Sequence, residues 1–207
     1  MHTESKHTES KDEMRERILE AALKRFTHYS ASKTTMNEIA EDLHCSKASL
    51  YYYFPDKKGL HIAVLEKIGE LYFSELEAEI EDVKQASKTL FRLIDVRHDF
   101  VRRFCRLELF KVLNDPSFHN EEIMKKVKER ELKLLVTVFE VGVKTGEFNI
   151  SKNNIRQMAE LYSLAMIGLR FSVLEGKDQI NIDEEDFSAV SKQQKLLTEV
   201  FVNGLKY

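Results

Sequence analysis

The segment from Thr34 to Lys58, TTMNEIAEDLHCSKASLYYYFPDKK, leaves this chain few folds to choose from. Ile39, Ala40 and Leu43 are spaced as the buried side of one short helix. Leu50 and Phe54 are the inner side of a second, which Ser46 opens and Pro55 stops. Thr35 followed by Glu38 reads as a capping box for the first helix. Ser46 is a suitable N-cap for the second, and Asp56 caps whatever follows Pro55. Ala40 is small where the two helices must cross closely. Two short helices joined by a turn of three or four residues form a helix-turn-helix, a unit that can lay its second helix in a DNA major groove.

The wording of the segment adds to its spacing. With the helix that precedes it, Ile18 to Leu65 resembles the DNA-binding domain of the TetR family of bacterial regulators, over roughly a quarter of the chain. The matching residues are Ile18-Leu19, Ala21-Ala22, Phe26, Thr34-Thr35, Ile39-Ala40, Ser46-Lys47, Leu50-Tyr51-Tyr52-Tyr53-Phe54 and Lys57 with Leu60. Two positions depart from the family's pattern: Ser30 after helix 1 and His44 in the turn stand where glycine is usual. A turn residue with positive φ is cheapest as glycine, so each departure implies a modest stability cost. Lys47, Ala48, Ser49 and Tyr51 lie in the opening turns of the second helix with their outward side chains aimed at base edges, and Asn37 on the first helix is a candidate for a neighbouring base. The resemblance places Thr35, Tyr52, Tyr53 and Lys57 against phosphate.

Charge does not make this chain a general nucleic-acid binder. The net charge of its 207 residues is −3, and from Asp12 to Leu60 eight Lys/Arg face eight Asp/Glu. DNA binding then rests on a local basic edge (Lys33, Lys47, Lys57, Lys58) and on helix N-termini. Two Pro, seven Gly and no Trp favour helix throughout. Cys45 and Cys105 stand in no metal or redox spacing and read as reduced thiols. With no apolar run at the N-terminus and no segment of membrane length, a cytoplasmic protein that does not enter membranes is expected.

The first eleven residues repeat HTESK and read as a disordered arm (1–11). Residues 12–58 form the expected DNA-binding domain and 59–207 a helical ligand-binding and dimerisation domain. Helix 1 carries Ile18, Ala22, Leu23 and Phe26, and a long helix over about Lys57 to Val83 links the two domains. Further helices are marked by Leu90 to Ile94, by Phe100 to Leu113, and by a stretch that Asn120 caps and that ends near Gly146. Ser151 caps the next, and Asp183 starts the last. No alternating pattern appears, so the fold class is all-α, with about nine helices.

No phosphate loop, nucleophile elbow or clustered His and carboxylates is present, so neither an enzyme nor a cofactor is expected. Arg97, Arg102, Arg103 and Arg106 near Glu108 read as a solvated face with helical ion pairs. The last two helices carry more apolar surface than one core contact requires, at Ile167, Phe171, Leu174, Leu197, Val200 and Phe201. Paired with a second copy they would form a four-helix bundle, which the family resemblance also implies for a homodimer. Tyr72, Phe100, Phe104, Phe139, Tyr162 and Met166 are core-type residues that, by the same resemblance, would line a small-molecule pocket suited to an apolar inducer. The expected function is a homodimeric regulator released from a palindromic double-stranded DNA operator by that inducer, most simply a repressor. The alternative is a helical ligand-binding or protein-interaction module that no longer binds DNA, favoured by the near-neutral head and by His44.

Overall fold

Helical periodicity dominates the chain, and the computed structural model, which describes residues 3–104, 121–175 and 184–206, follows it. Among the described residues there are eight α-helices and no strand. They are α1 (Thr3–Tyr29), α2 (Met36–Asp42), α3 (Lys47–Tyr53), α4 (Lys57–Ile80), α5 (Ala86–Phe104), α6 (Glu121–Lys144), α7 (Ile155–Val173) and α8 (Glu184–Gly204). A 3-10 turn, Lys152–Asn154, precedes α7. The described residues fall into two compact units. One runs to Leu71 and includes residues 103 and 104; the other takes Tyr72 to Arg102 and resumes with α6.

Three boundaries differ from the sequence reading. Helix α1 starts at Thr3, inside the repeat expected to be a disordered arm. Glu and Lys favour helix, and extending an existing helix gains a hydrogen bond for each residue fixed. Helix α5 continues through Phe100, where a new helix was expected to start, because no Gly or Pro between Ile94 and Phe100 breaks it; residues 105–120, including Arg106, Glu108 and Phe110, lie outside the described residues. Ser151 makes no side-chain cap, and the 3-10 turn intervenes before α7.

The first unit closes on Ile18, Leu19, Ala22 and Phe26 of α1, Met36, Ile39 and Ala40 of α2, Leu50 and Phe54 at α3, and Leu60, Val64 and Ile68 of α4, all buried. Phe26 also meets the His61 ring edge-on, with centroids 5.3 Å apart. In the second unit the core runs from Phe73 and Leu76 through Leu90, Leu93 and Ile94 to Leu135, Val138 and Phe139, and on to Ala159, Tyr162, Met166 and Val202. Glu147 holds the start of α5 by accepting from the Ala86 N–H at 2.7 Å and the Ser87 N–H at 3.1 Å.

Gly142 in α6 is needed for a close approach. The chain turns back at Gly146 (φ 76°), and Phe148 donates its N–H to the Gly142 carbonyl at 2.9 Å. Its ring, buried and 5.6 Å from that of Phe139, then lies where a Gly142 side chain would be. A Cβ there would sit 2.2 Å from the Phe148 ring. Gly142→Ala is therefore expected to destabilise the fold by about 1–3 kcal/mol, the usual cost of overpacking, read as a lower urea midpoint at unchanged slope. An unchanged midpoint would mean that the ring moves aside freely.

Candidate nucleic-acid interface and sensing core

The two short helices α2 and α3 are too short to persist alone and are held by their ends and inner faces. Thr35 and Glu38 form the reciprocal capping box: the Thr35 N–H donates to Glu38 Oε2 at 2.7 Å, and the Glu38 N–H to Thr35 Oγ1 at 3.3 Å. Ser46 Oγ accepts the Ser49 N–H at 3.1 Å at the start of α3. Asp56 Oδ1 accepts the Gly59 N–H at 2.6 Å at the start of α4. All three caps stand where the sequence places them.

The turn between α2 and α3 ends α2 in a Schellman arrangement. His44 has φ 52°, the Cys45 N–H reaches the Ala40 carbonyl at 3.0 Å, and the His44 N–H reaches Glu41 at 3.0 Å. Ser30, at φ 70°, closes α1 with its N–H on the Phe26 carbonyl at 2.9 Å. Both residues standing in for glycine thus occupy the left-handed conformation, and the turn geometry is kept at the strain cost expected of non-glycine residues.

Between helices, Arg25 clamps α1 to α2. Its Nε and NH2 donate to the two Asp42 carboxylate oxygens at 2.5 and 2.9 Å, and NH1 lies 3.4 Å from Glu38. The hydrogen bonds from Arg25 hold the Asp42 carboxyl below its ordinary pKa. Nothing in the sequence marks this pair. Lys57, at the first turn of α4, donates from Nζ to the carbonyls of Thr34 (2.9 Å) and Ser32 (3.3 Å) and so braces the loop that leads into α2.

With Leu50 and Phe54 buried, α3 turns Lys47, Ala48, Tyr51 and Tyr52 outward, with Tyr52 69% exposed. Ser49 and Tyr53 are half-buried, and Thr35 and Asn37 are exposed at the start of α2. Lys47 Nζ stands 5.9 Å from the Tyr51 ring centroid, and Lys11 Nζ lies over the Tyr52 ring at 5.2 Å. Lys11 therefore adds positive charge to this edge, which the sequence reading left to the arm.

In the second unit, Tyr72, Phe100, Phe139, Tyr162 and Met166 do enter the interior. Phe104 is buried too, but groups with the first unit. Tyr162 shares a hydrogen bond with Thr198 at 2.8 Å, and burial pushes its phenol up to about 12. A polar cluster lies among these apolar residues. Tyr72 Oη donates to Glu131 Oε1 at 2.7 Å, and Arg97 Nε donates to Tyr72 Oη at 3.2 Å. Arg97 is thus not part of a solvated basic face as expected from the sequence, although Arg102 and Arg103 are exposed. It follows Leu90, Leu93 and Ile94 on the inward row of α5, a spacing that could have revealed it.

Of the residues expected at a dimer interface, Phe171 and Val200 are 57% and 63% exposed. Ile167 and Leu174 are half-buried, whereas Leu197 and Phe201 lean on the core of their own chain. Leu161 and Leu164 on α7 and Leu196 on α8 are exposed as well. Among the described residues no helix is long and apolar enough to cross a membrane, and no cluster of potential metal ligands occurs.

A capped, braced pair of short helices with its second helix turned outward is a helix-turn-helix of the DNA-reading class. Residues 18–64 match the family model of bacterial regulatory proteins of the tetR family. The chain is similar to a transcriptional regulator from Cytophaga hutchinsonii, at 31% identity over 93% of this chain and 98% of that one, with a TM-score of 0.82. The chain belongs to the TetR family of bacterial transcriptional regulators. A TetR-family regulator from Pectobacterium atrosepticum shares the fold at 18% identity, with a TM-score of 0.71 and 95% of each chain covered. Among curated proteins, the HTH-type transcriptional regulator RutR of Escherichia coli is 36% identical over 109 residues, 50% of this chain and 51% of that protein. The chain thus spans about half the length of the curated relatives it matches.

Proposed function

We propose that this protein is a homodimeric, ligand-responsive transcriptional repressor that reads a palindromic operator and leaves it when a small molecule binds the second unit. The observation that carries the reading is the outward face of α3, where Lys47, Ala48, Tyr51 and Tyr52 stand exposed on a helix fixed by buried Leu50. Lys47, Ala48, Ser49 and Tyr51 would meet base edges, with Asn37 at a neighbouring base. Thr35, Tyr52, Tyr53 and Lys57 would fix the head on phosphates. In this reading 12–58 is the DNA-binding domain and 59–207 the sensing and dimerisation domain. A second copy would cover the exposed apolar residues of α7 and α8, and the two-fold axis would match the palindrome.

Release would be a population shift: a ligand that prefers one arrangement of the sensing helices lowers the population of the DNA-binding one. The test is binding of the full chain to the intergenic DNA upstream of its own gene. A specific complex at nanomolar protein in near-physiological salt is expected, at least a thousandfold tighter than on scrambled DNA. Equal affinity for both, with the fold intact, would favour the module that no longer reads DNA.

A further inference from the structure

The polar cluster Tyr72–Arg97–Glu131 has hydrogen-bonding capacity that no acceptor among the described residues uses, and this deepens the ligand-responsive reading on which it rests. The three residues come from α4, α5 and α6, each from an inward row: Tyr72 beside Phe73, Arg97 four residues after Leu93, and Glu131 four before Leu135. The Tyr72 ring meets Phe73 and Phe100 at centroid distances of 5.3 and 5.0 Å. Despite these surroundings, the Arg97 and Glu131 side chains keep 20% and 21% of their surface accessible. Both side chains are thus reached by solvent although each stands on an inward row of its helix.

Arginine has five N–H donors arranged as a rigid fork. Nε is used by Tyr72 at 3.2 Å, and NH2 lies 3.9 Å from Glu131 Oε1, too far for a hydrogen bond. NH1 and NH2 have no acceptor among the described residues. The Nε edge thus faces Tyr72 and Glu131, while the edge formed by NH1 and the outer N–H of NH2 meets no hydrogen-bond acceptor among the described residues. That edge matches the two oxygens of a carboxylate in parallel, charge-assisted hydrogen bonds. Burial alone would depress the Arg97 pKa, but the Tyr72 oxygen and the Glu131 carboxylate outweigh it and hold it above its ordinary value. The guanidinium is therefore a permanent cation. A guanidinium on an inward helical row, with donors that reach solvent and meet no acceptor among the described residues, is placed to take an acceptor from a ligand. A cationic ligand fits less well, because Glu131 Oε1 already accepts from Tyr72 and any cation would sit beside Arg97. The other arginine nearby, Arg130, is tied to Glu77 at 2.9 Å and lies over Phe73.

We propose that this solvent-reached cluster takes a small apolar monocarboxylate, its carboxylate on the NH1–NH2 edge of Arg97 and its body along Tyr72 and the neighbouring apolar side chains. Tyr72 and Glu131 are positioning residues: they hold the other edge of the guanidinium and so aim the outer one. Glu131 also opposes the ligand's charge, so the site balances orientation against affinity.

The experiment is calorimetric titration of the full chain with octanoate and phenylacetate, each against its methyl ester. At least one acid is expected to bind, and its ester at least tenfold more weakly. Arg97→Met should weaken the acid at least tenfold and leave the ester unchanged. Glu131→Gln, which keeps an acceptor for Tyr72, should tighten the acid severalfold; this variant keeps the test decisive if Arg97→Met does not fold by circular dichroism. Esters that bind as well as acids, an acid affinity indifferent to both substitutions, or no acid binding at millimolar concentration would overturn the proposal. Release of the chain's upstream DNA is followed in parallel. An acid that binds through Arg97 without releasing DNA supports the site and counts against the sensor reading; an uncharged compound that releases DNA while both acids fail does the reverse.

Discussion

Replacing Phe171 and Val200 together by glutamate is expected to leave a folded monomer whose operator affinity is about 10²–10⁴-fold lower. Both side chains are mostly exposed in the single chain, so the substitutions cost the monomer fold little. In a closed apolar interface each carboxylate would be desolvated, at several kcal/mol per ion. A standard interface of about 1,600 Å² does not tolerate two such groups on each side. The loss on DNA follows because two linked heads make the second contact at high effective concentration, whereas free heads bind one half-site at a time. Sizing with light scattering reads the assembly, circular dichroism the fold, and titration on the operator the affinity. Leu197→Glu should behave differently, since Leu197 leans on the core of its own chain and its replacement should lower stability. If the unsubstituted chain is monomeric at micromolar concentration, the two-fold reading of the palindrome fails with the interface.

Lys47→Ala and Lys57→Ala are expected to separate base reading from positioning on DNA. Lys47 is exposed at the first position of α3 and long enough to reach guanine O6 or N7. Losing such a contact costs about 1–3 kcal/mol at one base pair. Its removal should therefore change which sequences are preferred as well as how tightly they bind. Lys57 is different. Its ammonium already donates to the Thr34 and Ser32 carbonyls, and one N–H is left for phosphate. Lys57→Ala should weaken operator and scrambled DNA alike and reduce the slope of log affinity against log salt by about one. An unchanged salt slope would make Lys57 a brace of the loop into α2 and no phosphate contact. Equal loss on both DNAs for Lys47→Ala would make Lys47 the anchor and overturn its assignment to a base.

The sequence alone determined what depends on neighbours within a few residues. The capping box at Thr35 and Glu38, the cap at Ser46 and the cap at Asp56 each join groups three residues apart, and each stands as the sequence implies. The same holds for Ser30 and His44, whose left-handed backbone is a local demand of the helix ends they close. The all-helical class came from a 3.6-residue apolar period that a strand could not use. Helix joins were less legible. The continuation of α5 past Ile94 and the 3-10 turn after Ser151 depend on small differences between extending a helix and breaking it.

Tertiary structure decided which distant residues meet. Arg25 finds Asp42 across 17 residues, Arg97 finds Tyr72 across 25, and Tyr72 finds Glu131 across 59. Sequence spacing can place Arg97 on an inward row, but it cannot say whether a half-buried tyrosine or open solvent lies opposite. Likewise, periodicity marks Val200 and Phe201 as equally apolar, and only the packing of α8 leaves Val200 63% exposed while Phe201 rests on the core. The physical reason is that caps, turns and helical period are set by backbone hydrogen bonds within one or two turns. Partners across the core are set by how whole helices pack, and no short stretch of chain contains that information.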